Sequence, residues 1–280
     1  MKERKRIIQI IYHVLMISFS ILMVYPLLWM ISSSFKHTDD IMITADQLIP
    51  LNPTMQNYIN GWKGFSRTTY ATFFKNSFIL SGVRVVGTVV SCSLAAYGFA
   101  RIKFVGRKLW FGIMIATMCL PGMALQIPRY MMFSNMGWVG TWNPLLIPCW
   151  FANSTFDIFL LMQFMRNIPK EMDEAAEIDG CGKFRLYTDI MLPLVKPAIA
   201  SVAILTFIGA WGDYYSSLIY LNKPKFYPVA YALKLYSDEV GTNYGPMLAM
   251  SVLSIVPVLI LFFIFQKQLI DGISTDGLKG

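Results

Sequence analysis

The chain has 280 residues, of which 55% are hydrophobic, 15% aromatic and only 14% charged, and its mean hydropathy is +0.51. A soluble domain carries about 25% charged residues, so the shortfall places the chain in the membrane class. The formal net charge of +8 does not indicate a nucleic-acid partner, because the cations stand in short clusters beside apolar runs, as the loops flanking membrane spans carry them.

The N-terminal MKERKR is followed by IIQIIYHVLMISFSILMVYPLLWMI. That apolar run exceeds the ~7–15 residues of a signal-peptide core and no small-x-small cleavage site follows, so it reads as a retained first span. Six spans are expected, over 8–34, 77–100, 109–132, 143–165, 198–221 and 247–266, each near the ~20 residues that a bilayer requires. Strand alternation and internal repeats are not evident, so the expected class is an all-α membrane protein. Cys92, Cys119, Cys149 and Cys181 are far apart, and three fall in apolar runs. They read as small packing residues rather than a disulfide framework or a metal cluster. With His13 and His37 as the two histidines, a His-based metal or catalytic site is not expected.

Orientation follows from the cations. With the N-terminus inside, the inner segments hold Arg4, Lys5, Arg6, then Arg101, Lys103, Arg107, Lys108, then Arg166, Lys170, Lys183, Arg185. Both termini are then cytoplasmic, and so are the segment 166–197 and the tail 267–280. The long segments 35–76 and 222–246, rich in Tyr, Asn, Pro and Gly, fall outside. Such loops either meet an external partner or simply connect spans.

The segment 166–197 is the most informative. In RNIPKEMDEAAEIDG, Pro169 suits a first helical position, and Glu171, Asp173 and Glu174 suit the positive end of the helix dipole. Met172, Ala175 and Ala176 share a small face. Gly180 is the expected left-handed residue past the end. A second short helix is expected over 182–191, with Phe184, Tyr187 and Met191 on one side and Pro193 ending it. A helix lying on lipid carries cations on its polar face. This one carries Glu171, Asp173, Glu174, Glu177 and Asp179, which points to a protein partner. The GCGKF at Gly180–Phe184 is not a phosphate-binding loop, since Glu177 and Phe184 occupy positions that require Gly and Ser/Thr. With no complete P-loop in the chain, ATP chemistry has to come from another subunit.

The spacing Glu174-Ala175-Ala176, three residues, Gly180, nine residues, Ile190, one residue, Leu192-Pro193 resembles the EAA signature of ABC-importer permeases. The stretches NSFILSGVRVVGTVVSCSLAAYGFARIKFVGRK, LPGMALQIPRYMMFSNMGWVGTWNPLLIP and IFLLMQFMRNIPKEMDEAAEIDG resemble carbohydrate-importer permeases, in particular the six-span partner of the maltose-type heterodimer. The resemblance implies a type I permease fold in the cytoplasmic (inner) membrane of a bacterium. It implies a second permease, an ATPase dimer that binds ATP and Mg, an extracytoplasmic solute-binding protein and a carbohydrate substrate, with no cofactor in this chain. It assigns ATPase coupling to Glu174, Ala175, Ala176, Asp179, Gly180, Ile190, Leu192 and Pro193. It also sends the outer loop 222–246 into the binding protein, and in some family members the tail, here QKQLIDGISTDGLKG, enters the ATPase dimer. The departures are Cys181 where the family has Ala, Gly212 where it has Asn, and Asp157 where it has a small neutral residue.

Charges inside spans cost at least ~2.5–3.5 kcal/mol each and are functional candidates by default. Asp213 in GAWGDYYSS, Asp157 and Arg84 are of this kind. Trp211, Asp213, Tyr214, Tyr215 and Asp157 form a candidate translocation path, aromatic faces covering sugar rings and carboxylates accepting hydroxyl protons. The alternative is structural: Asp213 pairs with a neighbouring helix or caps a break at Gly209 and Gly212, and Asp157 and Arg84 serve as pairing residues. A self-sufficient secondary transporter or channel for a small polar solute would call for coupling-ion residues in related halves, which the sequence does not offer. A membrane enzyme would need a nucleophile or metal motif.

Overall fold

The computed structural model describes residues 2–237 and 242–274, with side chains over 5–237 and 242–267. The regular structure of the described residues is helical, with isolated bridges at Phe65–Thr68 and Ser237–Thr242. The long helices are α1 (Lys2–Ser34), α2 (Tyr70–Arg101) and a C-terminal helix, Tyr244–Ser274. Among the described residues, four segments are long and apolar enough to cross a membrane: Lys5–Ser34, Tyr70–Arg101, Asn143–Asn167 and Tyr244–Lys267. A fifth crossing is available if the bent pair Lys183–Leu194 and Lys196–Trp211 counts as one. Of the expected outer loop 222–246, residues 238–241 lie outside the described residues, and of the tail 267–280 only the backbone to Ser274 and the Lys267 side chain lie within them.

Three expected spans are interrupted: the fourth at Ala152–Ser154, where Ala152 takes φ +49°, and the third and fifth for legible reasons. The third, 109–132, is two helices, α3 (Arg107–Met118) and α4 (Gln126–Asn135). Between them stands Pro121-Gly122, where Ala124 and Leu125 close successive turns on the Pro121 and Gly122 carbonyls at 2.9 and 3.3 Å. Proline lacks the N–H that would continue a helix there and glycine weakens it. In the fifth, the helix Lys196–Trp211 stops at Gly212 and resumes as Tyr214–Tyr220. Asp213 caps the restart, its Oδ1 accepting the Ser216 N–H at 3.0 Å, the usual way to satisfy an orphan donor at a helix start.

The chain divides into two compact units, Met1–Tyr70 with Leu233–Val256, and Ala71–Ala232 with Pro257–Gly280. In the first, the segment after α1 is folded rather than an open connector. Buried Lys36 donates through Nζ to the carbonyls of Thr44 and Gln47, both at 2.6 Å. Buried Asn57 donates to the carbonyls of Ser34 and Lys36 at 2.9 and 2.7 Å. Tyr236 Oη closes onto the Gly61 carbonyl at 2.6 Å.

The second unit holds an extended apolar cluster. Small residues of α2 (Cys92, Ala96, Ala100) meet Leu161, Met162 and Met165 of α5 (Thr155–Asn167) and Ala198 and Val202 of the Lys196–Trp211 helix. Small side chains let membrane helices approach closely where hydrophobicity supplies no drive between them. The polar segment 171–195 packs onto the same cluster through Ala176, Leu186, Tyr187, Met191 and Val195.

Candidate functional site

The polar segment begins with α6 (Glu171–Ile178), whose first turn carries Glu171, Asp173 and Glu174. Its helix starts two residues later than expected, since Pro169 precedes the cap at Lys170. The end is a Schellman turn. Gly180 has φ +76°, its N–H bonds the Glu177 carbonyl at 3.1 Å, and the Cys181 N–H reaches the Ala176 carbonyl at 2.9 Å. The left-handed residue is what closes both bonds, and glycine adopts it without a Cβ penalty.

After the turn comes α7 (Lys183–Leu194), whose middle turn, Leu186–Met191, is π-helical. Pro193 does not end it as expected. Its ring crowds the carbonyl four residues back, the preceding turn widens, and the helix runs on to Leu194. The axis then turns by 78° into α8 (Lys196–Trp211), at Val195 and just before Pro197, a second residue with no N–H to give. Of the expected α7 face, Tyr187 and Met191 are buried, whereas Phe184 is 71% exposed. Ile178, at the end of α6, is 86% exposed. A chain that buries Ala176 and presents Ile178 and Phe184 holds out an apolar tip rimmed by acids. Glu174, Ala175, Asp179, Gly180 and Pro193 are exposed with it, while Ile190 and Leu192 pack partly against the core.

What anchors this elbow is a residue that sequence reading uses only for orientation. Arg101, at the end of α2, has a side chain only 5% exposed. Its Nη2 donates to the carbonyls of Met165 and Ile168 at 2.8 and 2.7 Å, at the C-terminal end of α5, where carbonyls run short of partners within the helix. Its Nε stands 3.3 Å from Asp173 Oδ2 of α6. Burial pushes the Asp173 carboxyl up from the usual carboxylate range, against the opposing pull of Arg101 and Lys183. One guanidinium thus ties two membrane helices to the elbow. Tyr97 Oη adds a bond to the Lys183 carbonyl at 2.9 Å, and Ser93 and Tyr187 share one at 2.7 Å. An ion pair joins Lys183 to Glu177 across the turn. No local pattern points to Arg101; its carbonyl partners lie 64 and 67 residues on.

The intramembrane candidates do not converge on one site. Trp211 is buried among Phe74, Phe78 and Phe207, with centroids 4.9–6.0 Å away. Tyr214 packs on Tyr231. Tyr215 borders one cavity, of about 430 Å³, beside Gln126 and Tyr130 of α4. Asp157 is buried in the first turn of α5, its N–H on Ser154 Oγ at 3.4 Å. Asp213 lines a different cavity, of about 390 Å³, and its Oδ2 is 2.7 Å from Arg84 Nη1. Since α2 begins at Tyr70, Arg84 stands near its middle. The segment 222–232, expected outside, is tied down: Asn76 donates to the carbonyls of Lys225 and Tyr227, both at 2.9 Å, and Trp142 to that of Phe226 at 2.9 Å.

Comparison with known proteins gives a consistent picture. A family model described as "binding-protein-dependent transport system inner membrane component" matches residues 87–274. The trehalose/maltose transport system permease of Thermococcus litoralis is 31% identical over 279 residues, covering 99% of this chain and 98% of that protein. Among solved structures, a bacterial ABC transporter involved in the import of the acidic polysaccharide alginate superposes with a TM-score of 0.82 at 23% identity, over 94% of this chain and 96% of that one. A bacterial alginate ABC transporter in complex with an alginate pentasaccharide-bound periplasmic protein superposes with a TM-score of 0.63 at 16% identity, over 95% and 94%.

Proposed function

The chain belongs to the family of binding-protein-dependent transport system inner membrane components, multi-pass permeases, and on that premise we propose that it is the transmembrane subunit of an ATP-driven carbohydrate importer. Its cargo is an oligosaccharide or a sugar derivative. The trehalose/maltose permease and the alginate importers among its likenesses support that class. The alginate complex with a sugar-loaded periplasmic protein supports a solute-binding partner.

The observation that carries the reading is the elbow. An acidic first turn, a glycine-closed Schellman turn and an exposed Ile178–Phe184 tip form a rigid peg, and Arg101 anchors it to the ends of two membrane helices. In our reading the peg sits in a cleft of a cytoplasmic ATPase dimer, with Glu174, Ala175, Ala176, Asp179, Gly180, Ile190, Leu192 and Pro193 forming and supporting it. A second permease completes the path and presents a second elbow. ATP binding closes the ATPase dimer, draws the elbows together and rocks the bundles so that the cavity opens towards the binding protein. Hydrolysis reverses the motion. ATP and Mg belong to the partner, and this chain transports without catalysing. Both termini face the cytoplasm, the outer loop 222–246 reaches the binding protein, and the segment 166–197 is the coupling loop.

The test is gentle detergent purification of the tagged chain from its host, followed by mass spectrometry of what accompanies it. A second permease and a P-loop ATPase are the expected companions. A chain that purifies alone and still transports after reconstitution is a self-sufficient secondary transporter, and the importer reading falls.

A further inference from the structure

The cavity beside Asp213 has about 390 Å³, within the ~300–1,000 Å³ of small-molecule sites. Its lining combines an aromatic wall with unequal charge. Phe133 stacks on Trp138 at 5.4 Å between centroids and meets Tyr220 edge-on at 5.5 Å. Against this wall stand Arg84, Arg129 and Asp213, two guanidinium groups and one carboxylate. The carboxylate is already engaged: Oδ2 takes Arg84 Nη1 at 2.7 Å and Oδ1 takes the Ser216 N–H at 3.0 Å. Arg84 and Asp213 therefore cancel. Arg84 Nε is buried and donates to no partner, and Arg129 makes no ion pair among the described residues. The charge left over is positive, and it borders a space walled by rings.

Rings cover the apolar faces of a sugar, and a planar guanidinium matches a carboxylate in two parallel bonds. We propose that this cavity binds an acidic sugar unit, with Arg129 pairing the uronate carboxylate and the Trp138–Phe133–Tyr220 wall covering its ring. Arg84 and Asp213 then position the floor. The inference rests on the importer reading and names the substrate class for it.

The test uses the purified transporter with all its subunits in lipid nanodiscs, titrated with trigalacturonate and with its fully methyl-esterified form, which has the same skeleton without charge. Trp138 supplies a native fluorescence signal. The acid is expected to bind about tenfold more tightly than the ester, the size of one charge-assisted bond, and Arg129→Gln, a change at an exposed position, is expected to abolish that preference. Equal binding of acid and ester, binding of neither, or a preference that survives Arg129→Gln overturns the proposal. A complex that assembles with its ATPase and shows any of these loses only this inference. A chain that yields no such complex loses the importer reading, and this inference with it.

Discussion

Arg101 and Arg84 are two guanidinium groups with different duties, the first buried and the second 24% exposed. Arg101 joins two helix ends to the elbow through two Nη2 bonds to carbonyls and an ion pair with Asp173. Lysine keeps the charge but not the fork. Arg101→Lys should therefore leave the protein inserted and assembled while raising the ATP hydrolysed per sugar moved several-fold. Parallel ATPase and uptake assays in proteoliposomes decide this; an unchanged ratio removes Arg101 from the coupling path. Arg84 has one partner, Asp213, at 2.7 Å. Arg84→Gln leaves a carboxylate unpaired at membrane depth and should cost about 3 kcal/mol. Asp213→Asn keeps the helix cap but strands the cation. Combining the two should recover about 1–3 kcal/mol relative to the sum of the single changes, read from unfolding of the purified complex. Strict additivity would mean that the pair does not interact.

At the scale of elements, the elbow was the most legible part of the sequence because its signals are local. Acids before alanines, and a glycine four residues after Ala176, dictate a helix and its stop within one short window. The interrupted spans were less legible. Hydropathy averages over about 20 residues and passes smoothly across Pro121-Gly122, although the pair itself spells a break. The Arg84–Asp213 contact joins residues 129 positions apart, and only the packed helices bring them together. The turn at Gly180 invites a direct test. With φ at +76°, Gly180→Pro both forbids that conformation and removes the N–H that bonds Glu177. Transport should fall to background while membrane levels stay normal. Glu174→Lys, which reverses charge on the exposed acidic edge, should act the same way through the partner's surface. Normal uptake by either variant would refute the docking role of the elbow.

For the whole molecule, orientation is the property on which the mechanism turns. Fusing a fluorescent protein to the C-terminus should give a signal, since such fusions mature in the cytoplasm, and an alkaline phosphatase inserted in the segment 35–76 should be active. The reverse pattern would put the elbow on the wrong side of the membrane for any ATPase. Given that orientation, the 78° turn at Val195 makes α7 and α8 a bell crank. The short arm lies in the elbow. The long arm, 16 residues at about 1.5 Å each, is about 24 Å long. With the arms so nearly square, a tug that tips the short arm swings the far end of the long arm sideways about Val195 instead of sliding it along its own length. Asp213 stands two residues beyond that far end, so such a tip would be carried to the rim of the cavity.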